Sequence, residues 1–496
     1  MNVIRPPEWP WRTVRELARE RAIKLWLVGG AVRDILLGRP LHDWDFAVNR
    51  DAMGLARAVG DALGGFFFPL DEERGTARVV FETDGSRLEL DFALLRAASL
   101  ADDLAERDFT INAMALDDHY ELLDPLGGRA DLEAGRIRAT SEHVFRDDPV
   151  RLLRAVRLEA ELGFETEPRT DAWIRRDATL LGHPAAERLR DEFVRGLAVS
   201  GASDFIRRLD DLQLLEQIVP DAVTLKEVPQ SRPHRFDVWR HTLRVVETVE
   251  GVVATATGEP LPAGLACLAS VPAPAWGDLA RSISQFARPI QNHLAVEVSD
   301  RRDRRLLLKL AGLLHDVGKL ETQTMDEEGH MHFYGHESVG ARKAATWMRN
   351  LRFSRDEVAW IRTITEAHLR PGHLAQAEGL SRRAIYRYFR DTEDAGIDTV
   401  LLSLADHLAT WGPRLREKCW TNLLRVSELL LYHYFEEREE VIAPQLPVDG
   451  YDLMRLLDLQ PGPEVGRLLD LLREAAAAGE AETREELLNL ARESSG

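Results

Sequence analysis

A chain of 496 residues is too long for one ordinary domain, and 45% hydrophobic with 30% charged residues is the balance of a globular protein with ample core material. A net charge of −19 argues against indiscriminate nucleic-acid binding, which needs a surplus of Lys and Arg against phosphate. The first residues lack the charged-then-apolar pattern of a secretory signal, no apolar run reaches membrane-spanning length, and Cys267 and Cys419 match no disulfide, metal or redox spacing, so a cytoplasmic protein without a membrane partner is expected.

In chain order, helical periodicity predicts a helix over Arg12–Ala22, and an apolar run predicts a strand over Leu25–Val28. Gly29 and Gly30 follow, ahead of a helical pattern over Ala31–Leu37. Two glycines at a strand-to-helix turn let backbone N–H groups approach a triphosphate, with Arg33 as an added cation or simply the partner of Asp34. Asp43-Trp44-Asp45 opens the next strand, Trp44–Val48, and alternation sends both carboxylates from one face. Like charges so placed repel unless a divalent cation lies between them. Such a pair can hold Mg²⁺ ions that activate an attacking hydroxyl and neutralise departing pyrophosphate, although the same triplet is common on solvent-facing strands.

Further strands are expected at Ala77–Glu82, Leu88–Ala93 and Ile111–Leu116, and helices at Pro149–Leu162, Ala185–Leu197, Leu306–Leu314 and Ser338–Leu351. Strands early and helices late predict an α+β chain, a small mixed-sheet head followed by an elongated all-α body. Between Arg129 and Arg195 thirteen arginines face fourteen acids with no lysine, so that stretch is nearly neutral and permits a local RNA surface without requiring one. The Pro-, Ala- and Gly-rich stretch Ala254–Pro289 is expected to be an insertion or surface loop.

The run LVGGAVRDILLGRPLHDWDF resembles the head motif of class II tRNA nucleotidyltransferases and bacterial poly(A) polymerases. ERDFTINAMALD (Glu106–Asp117), DPLGGRADLEAGRIRAT (Asp124–Thr140) and FRDDPVRLLRAVR (Phe145–Arg157) are similar to further motifs of the same family, in the same order. The resemblance implies a head at 1–127, a base-recognising and RNA-binding neck at 128–198, a helical body at 199–415 and a helical tail at 416–496. It implies that Asp43 and Asp45 bind catalytic Mg²⁺ and that a third carboxylate lies on a later strand. Asp91, followed by Arg96, fits that spacing better than Glu89, on the same strand face. Gly29, Gly30 and Arg33 would face the nucleotide, and Arg107, Asp108 and Asn112 match the ribose-recognising motif. Glu106 stands where the family usually has Arg.

In the neck, Asp148 suits a helix N-cap and Pro149 the first helical position. The resemblance offers a second role, since Asp148 and Arg151, three apart on one helix face, can present an acceptor and a donor fork to a base's Watson–Crick edge. The family pattern there is Glu-Asp-x-x-Arg, so Asp147 is a conservative departure. Arg154 and Arg157 continue that face, with nucleotide contact and core packing equally open. The expected activity is addition of C and A to the 3′ end of tRNA from CTP and ATP, with a poly(A) polymerase, or a phosphohydrolase with an RNA-binding head, as alternatives. Only Ala97–Glu106 separates Arg96 from Arg107, where many CCA-adding relatives carry a longer flexible loop, so the chain also resembles the CC-adding subgroup.

Downstream lie His241, the adjacent His315-Asp316, His336, His368 and Asp406. Imidazole and carboxylate together suit a divalent transition metal of unspecified identity, and an open position would serve phosphoester hydrolysis. The set resembles the HD phosphohydrolase superfamily, with Lys319 completing its H-D-x-G-K form. The tail from Gly450 resembles the C-terminal helical segment of the same transferases, with Pro461-Gly462-Pro463 turning between two helices.

Overall fold

The computed structural model describes residues 5–41, 43–83, 86–231, 233–377 and 379–495. The chain forms two compact units, Met1–Pro184 with Leu212–Leu214, and Ala185–Asp211 with Leu215–Gly496.

The first unit begins with α1 (Glu8–Glu20), β1 (Leu25–Val28), α2 (Gly30–Leu36), β2 (Asp43–Val48), α3 (Ala52–Leu63), β3 (Phe66–Asp71), β4 (Thr76–Thr83), β5 (Ser86–Leu94), α4 (Leu100–Ala105), β6 (Ala115–Asp117) and β7 (Leu122–Leu123). The strands make one mixed sheet in the order β3-β4-β5-β2-β1-β6-β7, with β2 and β5 parallel. Strand alternation divides its faces. Trp44, Phe46, Ala77, Val79, Leu90 and Phe92 are buried, and Phe46 stacks between Trp11 of α1 and Phe92 at centroid distances of 6.1 and 5.0 Å. Each such large apolar side chain contributes about 1.5–3 kcal/mol by burial. The intervening residues Asp43, Asp45, Glu89, Asp91 and Arg78 share the other face. After the sheet come α5 (Gly128–Glu133), α6 (Val144–Asp147) and α7 (Val150–Leu162).

One expectation fails within the head. Ile111–Leu116 is not one strand: Thr110–Asn112 form a 3₁₀ turn, because Asn112 donates its side chain back to Asp108, and only Ala115–Asp117 pair with β1. The strand β3 is an additional one, at the edge of the sheet, where Pro69 is tolerated.

In the second unit the helix Val238–Thr257, buried along most of its length, packs against Arg304–Leu314 and Ala395–Trp411. Arg355–Ala367 packs against His336–Asn350. The expected loop Ala254–Pro289 is instead largely helical: Val238–Thr257 runs into it and Ala273–Ile283 and Ala287–Leu294 follow, with Trp276, Leu279, Ile283 and Phe286 buried. Pro272 and Pro274 sit at a helix start, where a missing N–H costs nothing, so they initiate rather than break. The terminal helices Gly450–Leu457, Pro463–Ala478 and Arg484–Glu493 enclose their own core of Leu453, Leu468, Leu472, Leu487 and Ala491. Among the described residues no helix is long and apolar enough to cross a membrane.

Candidate active sites

On the polar face of the head sheet the parallel register sets Asp43 beside Glu89 and Asp45 beside Asp91. Arg78, across the sheet on β4, forks onto Asp91 with Nε–Oδ1 and Nη2–Oδ2 distances of 2.7 and 2.8 Å and reaches Glu89 at 2.5 Å. Glu89 is buried and also takes Arg87 at 3.2 Å, whereas Asp91 is the more open carboxylate and adjoins Asp45. Burial pushes the Asp45 carboxyl up to about 6, opposed by Arg107 and reinforced by Asp91 and Asp43. A carboxyl whose charged form is so disfavoured, among further carboxylate oxygens, fits a hard divalent cation such as Mg²⁺.

The Gly29 turn borders this group. A Cβ at Gly29 would lie 2.9 Å from Arg107 Nη1 and 3.2 Å from Asp45 Oδ2, and its φ of +73° disfavours any side chain. Arg33 is buried, forks onto Asp34 at 2.9 and 3.0 Å, and donates to Asn112 Oδ1 at 2.8 Å. Asn112 donates to Asp108 at 3.1 Å, and Arg154 of α7 donates to the other oxygen of Asp108 at 3.0 Å. Burial works against the Asp108 charge, but Arg154, Asn112 and the Phe109 N–H hold its carboxyl below the ordinary range. Arg33, Asn112, Asp108 and Arg154 thus form one polar chain from the glycine turn to α7. Arg107 lies 3.6 Å from Asp103, and its buried Nε has no hydrogen-bond partner.

At the start of α7, Asp148 is extended (φ −148°, ψ 96°) and Pro149 is already helical (φ −64°, ψ −18°). Arg151 lies 3.9 Å from Asp148 and donates to the Glu106 carbonyl at 3.3 Å, so acceptor and fork sit side by side. Arg157 pairs with Glu161 on its own helix. Arg78 and Asp103 were not among the expected site residues. Arg78 could have been found by strand alternation once β4 was registered opposite Asp91.

In the second unit six expected residues converge. His315 and His368 follow the last residues of their helices, and His336 opens its own. Their Nδ1 atoms face the carbonyls of Gly312, Thr365 and Phe333 at 2.9, 2.7 and 2.7 Å, which sets the tautomer that leaves Nε2 free as an acceptor. The Nε2 atoms of His336 and His368 are 3.4 Å apart, His241 Nε2 is 3.0 Å from Asp406, and Asp316 reaches His315 and His336 at 3.1 and 3.4 Å. Two lone-pair nitrogens facing each other need a cation between them. His241 Nε2, His315 Nε2 and Asp316 Oδ2 are buried and turned toward one another, 3.6 and 3.1 Å separating the two nitrogens from the carboxylate oxygen. Mixed imidazole and carboxylate donors fit one or two divalent transition metals. Lys319 pairs with Asp316 at 2.7 Å and donates to Gln230 at 2.7 Å. Against the cost of burial, His315 and Lys319 hold the Asp316 carboxyl well below its ordinary value, while burial pushes His368 down to about 3. His234, missed by the sequence reading, packs edge-on against His241 at 5.0 Å; its place before the Val238–Thr257 helix was the available signal.

The poly A polymerase head domain matches residues 25–138, the probable RNA- and SrmB-binding site of polymerase A matches 163–225, and the HD domain matches 281–411. An A-adding tRNA nucleotidyltransferase of Deinococcus radiodurans is 34% identical over 466 residues, 93% of this chain and 93% of that protein. The chain belongs to the tRNA nucleotidyltransferase family. CC-adding tRNA nucleotidyltransferases of Geobacter sulfurreducens and Thermus thermophilus are each 33% identical and cover 95% and 92% of this tRNA nucleotidyltransferase-family chain, matching 92% and 91% of their own lengths. It is therefore an enzyme of the nucleotidyltransferase type. Among solved structures the fold is similar to a CCA-adding enzyme with ATP, at a TM-score of 0.61 and 20% identity over 98% of this chain and 95% of that one. It is also similar to the Thermotoga maritima CCA-adding enzyme complexed with tRNA, at 0.56 and 20% over 98% and 95%.

Proposed function

We propose that this family member adds two cytidines from CTP to the 3′ end of tRNA and stops there. The observation that carries the narrower product is the connection before Arg107. It is a folded segment: α4 starts at Ser99, whose side chain accepts from the Asp102 N–H, and Leu104 is wholly buried with Val28, Ala47 and Ala113. Asp103 is buried too, accepting from the Arg96 N–H at 2.8 Å and lying against Arg107. C and A differ in size and edge pattern, so one pocket serves both only if the templating helix moves, and a segment packed into the head core is a poor lever for that motion. The CC-adding activity named for the Geobacter and Thermus relatives agrees with this reading.

The tRNA 3′-hydroxyl would attack the α-phosphate of CTP, forming the new P–O bond as pyrophosphate leaves. Asp43, Asp45 and Asp91 would hold Mg²⁺, which activates the hydroxyl and neutralises the leaving group. Arg107, Asp108 and Asn112 would position the ribose. Asp148 would accept from the cytosine amino group while Arg151 donates to the ring acceptors. Uracil sets an acceptor against the Asp148 carboxylate and is rejected. The test is a tRNA ending in CC supplied with ATP alone, beside a tRNA ending at the discriminator supplied with CTP. Two C additions and no adenylation are expected. Efficient adenylation of the CC end overturns the proposal in favour of full CCA addition or the A-adding activity named for the Deinococcus relative.

The second unit we read as a metal-dependent phosphohydrolase, on the convergence of His241, His315 and Asp406 with Asp316, His336 and His368 in groups that could hold a metal ion. Water would bond to phosphorus as an ester P–O bond breaks, its proton passing to the departing oxygen. Hydrolysis of a 2′,3′-cyclic nucleotide that is lost in Asp316→Ala is expected, and a metal-loaded protein without such activity removes this reading.

A further inference from the structure

A cavity of about 430 Å³ opens over the His–Asp cluster, a size typical of small-molecule sites. Its walls run from buried to exposed residues. Asp316, His336 and His368 are 1–6% exposed, whereas Tyr334, lining the same cavity, is 79% exposed. A tyrosine so open to solvent buries nothing in the fold, yet its ring is held in place. It stacks on His332 at a centroid distance of 5.2 Å and an interplanar angle of 8°. His332 ends the small hairpin Thr324–Met325/Met331–His332, and its Nε2 bonds Asp326 at 2.7 Å. Asp326 also takes the N–H groups of Glu328 and His330 at 3.1 and 2.7 Å, which fixes the hairpin turn. One face of Tyr334 is therefore covered by a buttressed imidazole, and the other is free at the mouth of the cavity.

We infer that Tyr334 is a specificity-determining residue of this cavity, its free face stacking the base of a nucleotide whose phosphate lies at the His–Asp cluster. The inference rests on the phosphohydrolase reading and adds to it the residue that holds the base. A rigid aromatic ring a few residues from phosphate-directed groups is the arrangement by which single-stranded nucleotides are held, and stacking tolerates any base. Lys319, between Asp316 and Gln230 on the same wall, supplies the cation near the phosphate end. The ligand could be the last nucleotide of an RNA or a free nucleotide, and both present the same base and phosphate.

The test is calorimetric titration of the full-length, Ni²⁺-loaded protein with cytidine 3′-phosphorothioate and with inorganic thiophosphate, which lacks a base. Tyr334→Ala is expected to weaken the nucleoside ligand roughly five- to a hundredfold, the range of base–aromatic stacking, without altering thiophosphate affinity. Tyr334→Phe should retain the parent affinity for both. Equal weakening of both ligands, or none, overturns the platform. Parent protein that binds thiophosphate as tightly as the nucleoside ligand overturns it too while sparing the phosphohydrolase reading, and parent protein that binds neither removes both. In turnover, Tyr334→Ala should raise KM for a tRNA ending in a 2′,3′-cyclic phosphate and for free 2′,3′-cyclic CMP. The substrate with the higher kcat/KM in the parent identifies the source.

Discussion

At the scale of single residues, Asp45 carries a cost of burial that a bound cation would relieve. Its carboxyl is pushed up from 3.8 to about 6, so between those values the native protein binds more protons than the unfolded chain. Metal-free stability therefore falls as pH rises through that window, and the cost persists above it. Asp45→Asn should accordingly melt higher than the metal-free parent at about pH 8, with the difference vanishing below about pH 4. Added Mg²⁺ should raise the melting temperature of the parent alone, by mass action. A variant that melts lower at alkaline pH, or that responds equally to Mg²⁺, contradicts the assignment. Arg151 poses a different question, because its fork could serve the helix start or the base. With one good bidentate contact worth about 1–3 kcal/mol of discrimination, Arg151→Ala should lose roughly five- to a hundredfold in CTP-over-UTP preference. A variant that keeps this preference and merely melts lower assigns the residue to the helix start.

At the scale of elements, the second unit joins two helices through one buried ion pair. Lys309 donates to the carbonyls of Leu197, Ala198 and Val199 at 3.3, 3.2 and 2.9 Å, closing the C-terminal end of the helix Ala186–Ala198. Glu250, 3.2 Å from Lys309, accepts from the N–H groups of Gly201 and Ala202 where the next helix begins, both at 2.9 Å. Lys309→Met should cost about 3–5 kcal/mol, because it leaves the Glu250 charge buried and unpaired. Adding Glu250→Gln should recover part of that loss in denaturant unfolding, and strict additivity of the two changes would refute the coupling. No sequence pattern announces such a pair, since Lys309 and Glu250 lie far apart in the chain on separate helices. The strands β1, β2, β4 and β5 were legible because alternation and β-branched or aromatic residues agreed. The helix at Ala273–Ile283 was not, because proline marks both the start of a helix and its interruption, and only Trp276, Leu279 and Ile283 turning inward decides between them.

At the scale of the whole molecule, the chain carries two candidate metal sites that differ in the atoms offered to metal. The head presents carboxylate oxygens alone, at Asp43, Asp45 and Asp91, and its motifs were legible because they lie close in sequence, on adjoining strands and turns. The second unit offers imidazole nitrogens and carboxylates drawn from His241 to Asp406, and there the residue types were legible but not their grouping, which depends on helices packing side by side. Hard oxygen sites favour Mg²⁺, and mixed nitrogen and oxygen sites follow the transition-metal affinity order. The two activities should therefore separate by metal. After chelation, Mg²⁺ should restore nucleotide addition and leave cyclic-phosphate hydrolysis near background, whereas Ni²⁺ or Co²⁺ should restore hydrolysis. Asp316→Ala should abolish hydrolysis and keep CTP incorporation within about twofold of the parent, because its partners His315, His336 and Lys319 all lie in the second unit. Mg²⁺ reviving both activities to the same extent would mean that donor type does not choose the metal here. Loss of CTP incorporation in Asp316→Ala without a fall in melting temperature would mean that the second unit contributes to transfer itself.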